Sequence, residues 1–272
     1  MKTRLISVAI LLPVTIVIIL VGKWPYALLI SILMLLASVE YVQMLQRKGY
    51  TLALPCIFAF NLLWMAEALW GNGKWFVPGL AGLMLLTVGW MLYRRDRHPT
   101  IADPTAEWAL TFAGGMYLGI GGAYLWRMRA LPDGLWWTLT ALPVVWISES
   151  MAYFVGRKWG QHKMSPTISP GKSWEGYAGE IISGTLTGLF LGWLWPTVAP
   201  GVIRLTPVKG LALGAAISAL TTAGDFFVSV IKREVGVKDT GTLIPGHGGI
   251  FDRIDSLLWT GFVTWVVVTL WA

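Results

Sequence analysis

The sequence predicts an all-α integral membrane protein, a polytopic bundle of about nine transmembrane helices with its N-terminus in the cytoplasm. Three observations lead there. Of the 272 residues, 56% are hydrophobic and 13% are charged, against about 25% charged in soluble domains, and the mean hydropathy is +0.64. Apolar runs recur from Leu5 to Ala272 between short polar breaks, and runs of about 20 residues suffice to cross a hydrocarbon core. Runs such as Ile6 to Val21 are apolar all round, whereas the strands of a membrane barrel alternate apolar and polar residues. A water-soluble domain is excluded.

The first span, 5–21, follows Lys2 and Arg4, and no small-residue cleavage site precedes the next apolar run at Tyr26, so it is expected to be a retained anchor rather than a signal peptide. Spans 26–45, 52–70 and 76–93 hold few polar residues, with Glu40 and Glu67 as ionisable exceptions. The first four spans show no repeat of the kind that builds inverted transporter halves; their expected role is scaffold or dimer surface. The remaining spans are 108–126, 134–156, 177–195, 209–230 and 256–271. Alternate loops then divide the 21 lysines and arginines unequally. The N-terminal side has 15 (Lys2, Arg4, Arg47, Lys48, Arg94, Arg95, Arg97, Arg157, Lys158, Lys163, Lys172, Lys232, Arg233, Lys238, Arg253), and the other side has 6. Positive charge accumulates in cytoplasmic loops, which orients the N-terminus inward, the C-terminus outward and loops 157–176 and 231–255 toward the cytoplasm. This division makes 1–130 an N-terminal transmembrane scaffold and 131–272 a catalytic region.

Other classes lose support. Cys56 is the only cysteine, so an intrachain disulfide is impossible and a thiolate zinc site unsupported. The net charge of +7 has no basic domain to carry it, so topology explains it better than nucleic acid. Several of the 17 tryptophans, including Trp24, Trp75, Trp136 and Trp159, fall near span ends, where aromatic belts form. His98 and His162 lie in polar loops and are expected to be solvated. No G-x-S-x-G elbow, Walker A sequence or H-E-x-x-H motif occurs.

Charge concentrates instead between Gly224 and Asp255, in GDFFVSVIKREVGVKDTGTLIPGHGGIFDRID. The segment holds Asp225, Lys232, Arg233, Glu234, Lys238, Asp239, His247, Asp252, Arg253 and Asp255. Asp225 falls inside an apolar run, where an ionised carboxylate costs about 2.5–3.5 kcal/mol on insertion scales unless it meets a partner or water. A helix starting near Phe251 would put Asp252 and Asp255 on one face. Their repulsion invites a divalent cation, and oxygen ligands suit Mg²⁺ better than zinc. Asp225 would complete that site; pairing of the same acids with Arg233 and Arg253 as structural salt bridges is the competing reading. Gly246, Gly248 and Gly249 flank His247 and would let main-chain N–H groups approach phosphate oxygens, although Pro245-Gly246 is also an ordinary turn signal.

The second loop reads AYFVGRKWGQHKMSPTISPGKSWEG from Ala152 to Gly176. Pro166, Pro170 and Gly171 make it a rigid nonhelical segment, and Ser165, Thr167, Ser169, Lys172 and Ser173 offer hydroxyls and an ammonium to an anion. Arg157 and Lys158 serve equally as topology anchors.

The stretch SVIKREVGVKDTGTLIPGHGGIFDRID, Ser229 to Asp255, resembles the signature of the phosphatidate cytidylyltransferases, or CDP-diacylglycerol synthases, of bacterial type. SPTISPGKSWEG, Ser165 to Gly176, resembles that family's second characteristic stretch, while the first four spans match only as hydrophobic helices. The family's W-x-x-D-x-x-A-Y pattern appears with Glu149 in place of Asp, between Trp146 and Ala152-Tyr153, and Ser173 stands where many members have Thr. The resemblance implies that CTP and phosphatidic acid become CDP-diacylglycerol and pyrophosphate at a bacterial cytoplasmic (inner) membrane. It also implies dependence on Mg²⁺ and stimulation by K⁺; the first four spans offer a surface for a homodimer.

A lipid phosphate can attack the α-phosphorus of CTP directly, so catalysis reduces to positioning and charge neutralisation. The expected metal ligands are Asp225, Asp252 and Asp255. Lys232, Arg233, Lys238, Asp239, His247 and Arg253 join them as catalytic candidates; Arg157, Ser165, Ser169, Lys172, Ser173, Ser229, Gly248 and Gly249 are candidate substrate contacts. The alternative from a different class is a transporter or channel for an anionic solute, since an intramembrane acid beside basic loops is also a transport pattern. A phospholipid alcohol phosphotransferase is disfavoured because D-G-x-x-A-R is absent.

Overall fold

Each apolar run becomes a helix because a chain in lipid must satisfy its backbone N–H and C=O groups within the segment. The computed structural model describes residues 2–97, 103–199, 204–243 and 248–271, with side chains from residue 12 onward. Helices α1 (Lys2–Val21), α2 (Lys23–Gln46), α3 (Leu54–Trp70), α4 (Phe76–Arg97), α5 (Pro104–Ala130) and α6 (Gly134–Trp159) follow one another. A hairpin of β1 (Lys163–Ser165) and β2 (Ser169–Ser173) comes next, and then α7 (Trp174–Val198), α8 (Pro207–Leu220), α9 (Thr222–Val235) and α10 (Phe251–Thr269). Among the described residues, five spans are long and apolar enough to cross a membrane: α2, α4, α6, α7 and the α8–α9 stretch Pro207–Val235. The protein is a helical membrane protein. The apolar runs read from the sequence fall on these helices with ends shifted by a few residues, the run 209–230 being shared by α8 and α9.

The chain forms two compact units. The first comprises residues 1–126 and 234–253, so the polar segment after α9 belongs with the N-terminal helices. Its core is fitted around glycines of α5: a Cβ at Gly115 would lie 2.6 Å from Phe60, and one at Gly122 would lie 2.6 Å from Met34. Phe60 and Met34 are fully buried there. Two buried polar contacts tie helices of this unit together: Asn61 Nδ2 donates to Ser38 Oγ at 2.8 Å, and Thr51 N donates to Glu107 Oε1 at 2.7 Å. Arg94, near the end of α4, lies 3.6 Å from the same Glu107 carboxylate.

The second unit comprises residues 127–233 and 254–272. Its centre is the α7–α8 pair, where Gly184, Gly188 and Gly192 face Gly210, Gly214 and Ser218. Cβ atoms built at Gly188 and Gly210 would overlap each other's backbone carbonyls, and one at Gly192 would lie 2.6 Å from Thr206 O. Small residues every fourth position let two backbones meet, the packing that holds helices together where no hydrophobic drive exists. Pro207 supplies an N-terminal turn for α8, and Thr206 caps it by accepting from Lys209 N.

Candidate active site

In the second unit the rigid loop proves to be an antiparallel hairpin with Ser165 opposite Ser169 and Lys163 opposite Ser173. It hands the chain to α7 through Ser173, whose hydroxyl accepts from Gly176 N at 3.2 Å. Ser173 is buried, so its side chain is a helix cap. One residue earlier, Lys172 reaches Asp225 Oδ2 at 2.7 Å while its ammonium lies 4.4 Å from the Phe226 ring centre. This is the compensating cation that an acid in an apolar run demands. Ser229, one turn along α9, donates to Asp225 Oδ1 at 3.2 Å. Arg233 Nε donates to Ile168 O at 3.1 Å, so the end of α9 meets the hairpin.

Beside this pair sit further acids. Asp255 is buried, its Oδ1 accepts from Ser256 N at 2.7 Å, and Asp225, Glu149 and Lys232 lie within electrostatic range of it. Glu180 is also buried, accepts from Thr222 Oγ1 at 2.8 Å, and feels Lys172, Glu149 and Asp225. Four carboxylates and two lysines thus share one neighbourhood. Glu180 is absent from the set that the sequence singles out. It stands in the α7 apolar run, and the insertion-cost argument that marks Asp225 applies to it unchanged.

In the first unit, Asp252 Oδ2 accepts from Thr240 N at 2.7 Å, Thr240 Oγ1 at 3.0 Å and Gly249 N at 3.2 Å. Glu40, from the expected scaffold, accepts from Ile250 N and Phe251 N at 2.9 Å each and lies 3.0 Å from Thr240 Oγ1. Gly248 has a φ of +83°, a conformation that glycine adopts freely, and a Cβ there would lie 3.2 Å from Asp252 Oδ2. Lys238, Asp239 and Arg253 are exposed. Lys48 donates to Glu234 Oε2 at 2.8 Å, a bond that raises the Lys48 pKa. The pair is exposed and so contributes little to stability.

The other candidates have plainer surroundings. Arg157 donates to Tyr153 Oη at 3.2 Å on the last turns of α6. His162 is exposed, yet its Nδ1 lies 2.5 Å from Glu175, a partner that the loop's composition does not announce. His98 and His247 lie outside the described residues.

The donor set suits a hard cation. Among the described residues no three His, Cys, Asp or Glu side chains converge closely enough to hold an ion on their own. Mg²⁺ needs no such cage, because it binds through one or two carboxylates and completes its shell with water and substrate phosphates.

Known proteins are similar to this chain, two of those below along most of its length. The model of the cytidylyltransferase family matches residues 2–271. The chain is 30% identical over 257 residues to a phosphatidate cytidylyltransferase of Mycobacterium bovis, covering 89% of this chain and 79% of that one. It is 32% identical over 268 residues to one of Bacillus subtilis, covering 95% and 94%. Over 126 residues it is 43% identical to one of Haemophilus influenzae, covering 46% and 42%.

Proposed function

Because the chain belongs to the cytidylyltransferase family, we propose that it is a phosphatidate cytidylyltransferase, converting CTP and phosphatidic acid to CDP-diacylglycerol and pyrophosphate. Beyond family membership, the observation that carries the reading is the Lys172–Asp225 pair set beside buried Asp255: cations and acids gathered where a lipid headgroup and a nucleotide could meet. An oxygen of the lipid phosphate forms a bond to the α-phosphorus as the bond from that phosphorus to the bridging oxygen breaks, and pyrophosphate leaves. No protein nucleophile is needed, so the chain's task is alignment and charge balance.

Lys172, Lys232 and Arg233 hold phosphate oxygens, with Lys238, Arg253 and His247 around the nucleotide. Hairpin hydroxyls at Ser165 and Ser169 are proposed donors to phosphate oxygens, and so is the N–H of Gly248, whereas the Gly249 N–H is engaged by Asp252. Asp225 and Asp255 are the proposed carboxylates for a divalent cation, with Asp252 one turn before Asp255 on α10 as the third. Bound there, Mg²⁺ would neutralise phosphate charge. A monovalent ion such as K⁺ would occupy the same acidic surroundings, where Glu180 supplies a further carboxylate.

We place the site on the cytoplasmic face of a bacterial inner membrane, with nine spans and the N-terminus inside. Support comes from the excess of Lys and Arg on that side, from the Lys48–Glu234 pair and from the Arg233–Ile168 bond, which join loops assigned to that face. A homodimer through the first four spans is the proposed assembly. α4 exposes Val77, Leu85, Leu86 and Leu92 to lipid or to a second copy.

The test is pyrophosphate release from CTP by purified protein in detergent, with and without phosphatidic acid, before and after chelation of Mg²⁺. Release is expected only when lipid and cation are both present. Release that ignores phosphatidic acid would reject the reading.

A further inference from the structure

We propose that Glu40 is a positioning residue for cytidylyl transfer, holding the start of α10 and the segment before it from within the helices that otherwise look like scaffold. The proposal rests on the cytidylyltransferase reading for its effect on turnover. Its geometry does not. Glu40 is 1% exposed, which is unusual for a carboxylate unless it is paired and hydrogen-bonded. Both oxygens are engaged: Oε1 accepts from Ile250 N, and Oε2 accepts from Phe251 N, each at 2.9 Å. α10 begins at Phe251, so these are among the N–H groups that a helix leaves without an internal partner, at the end where the helix dipole favours negative charge.

Thr240 joins this contact to Asp252. Its hydroxyl oxygen lies 3.0 Å from Glu40 Oε2 and 3.0 Å from Asp252 Oδ2. A single hydroxyl proton serves two carboxylates, so moving either acid redirects the other's bond. The neighbouring glycines fit the same account. A Cβ at Gly241 would lie 2.6 Å from Glu40 Oε1, and one at Gly249 would overlap Glu40 Oε2 and Thr240 Oγ1. Two glycines thus let the backbone close on one buried carboxylate, and Asp252 and Asp255 are carried on the helix whose first turn it fixes.

The experiment compares Glu40→Gln and Glu40→Asp with the wild type, full length in detergent, by kcat and KM for CTP and by amide hydrogen exchange of peptides covering residues 248–254 and α8. An amide side chain keeps the size but sets an NH₂ against main-chain donors. Glu40→Gln is expected to lower kcat about 10²-fold, the scale of loss from a small misplacement, and to speed exchange at 248–254 while α8 stays as in the wild type. Glu40→Asp should recover part of both. Wild-type kcat or wild-type exchange at 248–254 in Glu40→Gln would overturn the proposal. Should Glu40→Gln not fold, Thr240→Val and Thr240→Ser probe the same contact: Val should reproduce the loss and Ser restore it, and no change with Val would overturn it. A wild type that releases no pyrophosphate would reject the transferase reading, while the exchange result would still decide the Glu40 contact.

Discussion

Lys172 on β2 and Asp225 on α9 meet at 2.7 Å, the hairpin carrying a cation to an acid that an apolar helix could not hold alone. If the two act as one unit, removing either removes most of what both supply. Lys172→Ala and Asp225→Asn are each expected to lower kcat/KM at least about 10²-fold, with the double variant little worse than either alone. Steady-state kinetics on the four proteins checks this; losses that multiply would show that the residues act independently. Asp225 was legible in the sequence because a charge inside an apolar run is conspicuous. Glu180 was legible on the same ground, although no nearby signature drew the eye to it. Thr240 gave no signal, because its partners Glu40 and Asp252 are brought to it only by folding.

Among the elements, α7 and α8 depend on close backbone approach. A Cβ at Gly188 would overlap the Gly210 carbonyl, whereas one at Gly82 on α4 would meet nothing within 4 Å. Gly188→Leu is expected to lower the thermal unfolding midpoint in detergent, with a cost of at least about 1–3 kcal/mol from overpacking. Gly82→Ala should be neutral or stabilising by up to about 1 kcal/mol. Equal midpoints for the two variants would contradict the packing account. The helices themselves were readable from apolar run length, because lipid leaves a spanning segment little alternative. The hairpin was readable only as nonhelical: Pro166, Pro170 and Gly171 forbid a helix, but the register of Ser165 with Ser169 follows from pairing that no local pattern specifies.

For the whole molecule, charge bias and hydropathy supply the reading of a membrane protein, and the family match over residues 2–271 agrees with the signature from Ser229 to Asp255, which supplies the enzyme. The grouping of residues 234–253 with the N-terminal helices was not legible. Glu40 and the amides at the start of α10 belong to that grouping, and they are contacts between residues some 210 positions apart in the chain. The central claim is that this chain moves a cytidylyl group from CTP to a lipid phosphate. The most direct measurement supplies CTP labelled at the α- or the γ-phosphorus to the purified protein with phosphatidic acid and Mg²⁺, then counts label extracted into organic solvent. The account predicts that α-label enters the lipid, γ-label leaves as pyrophosphate, and Asp255→Asn transfers neither; γ-label in the lipid, or no lipid label from folded wild-type protein, would contradict it.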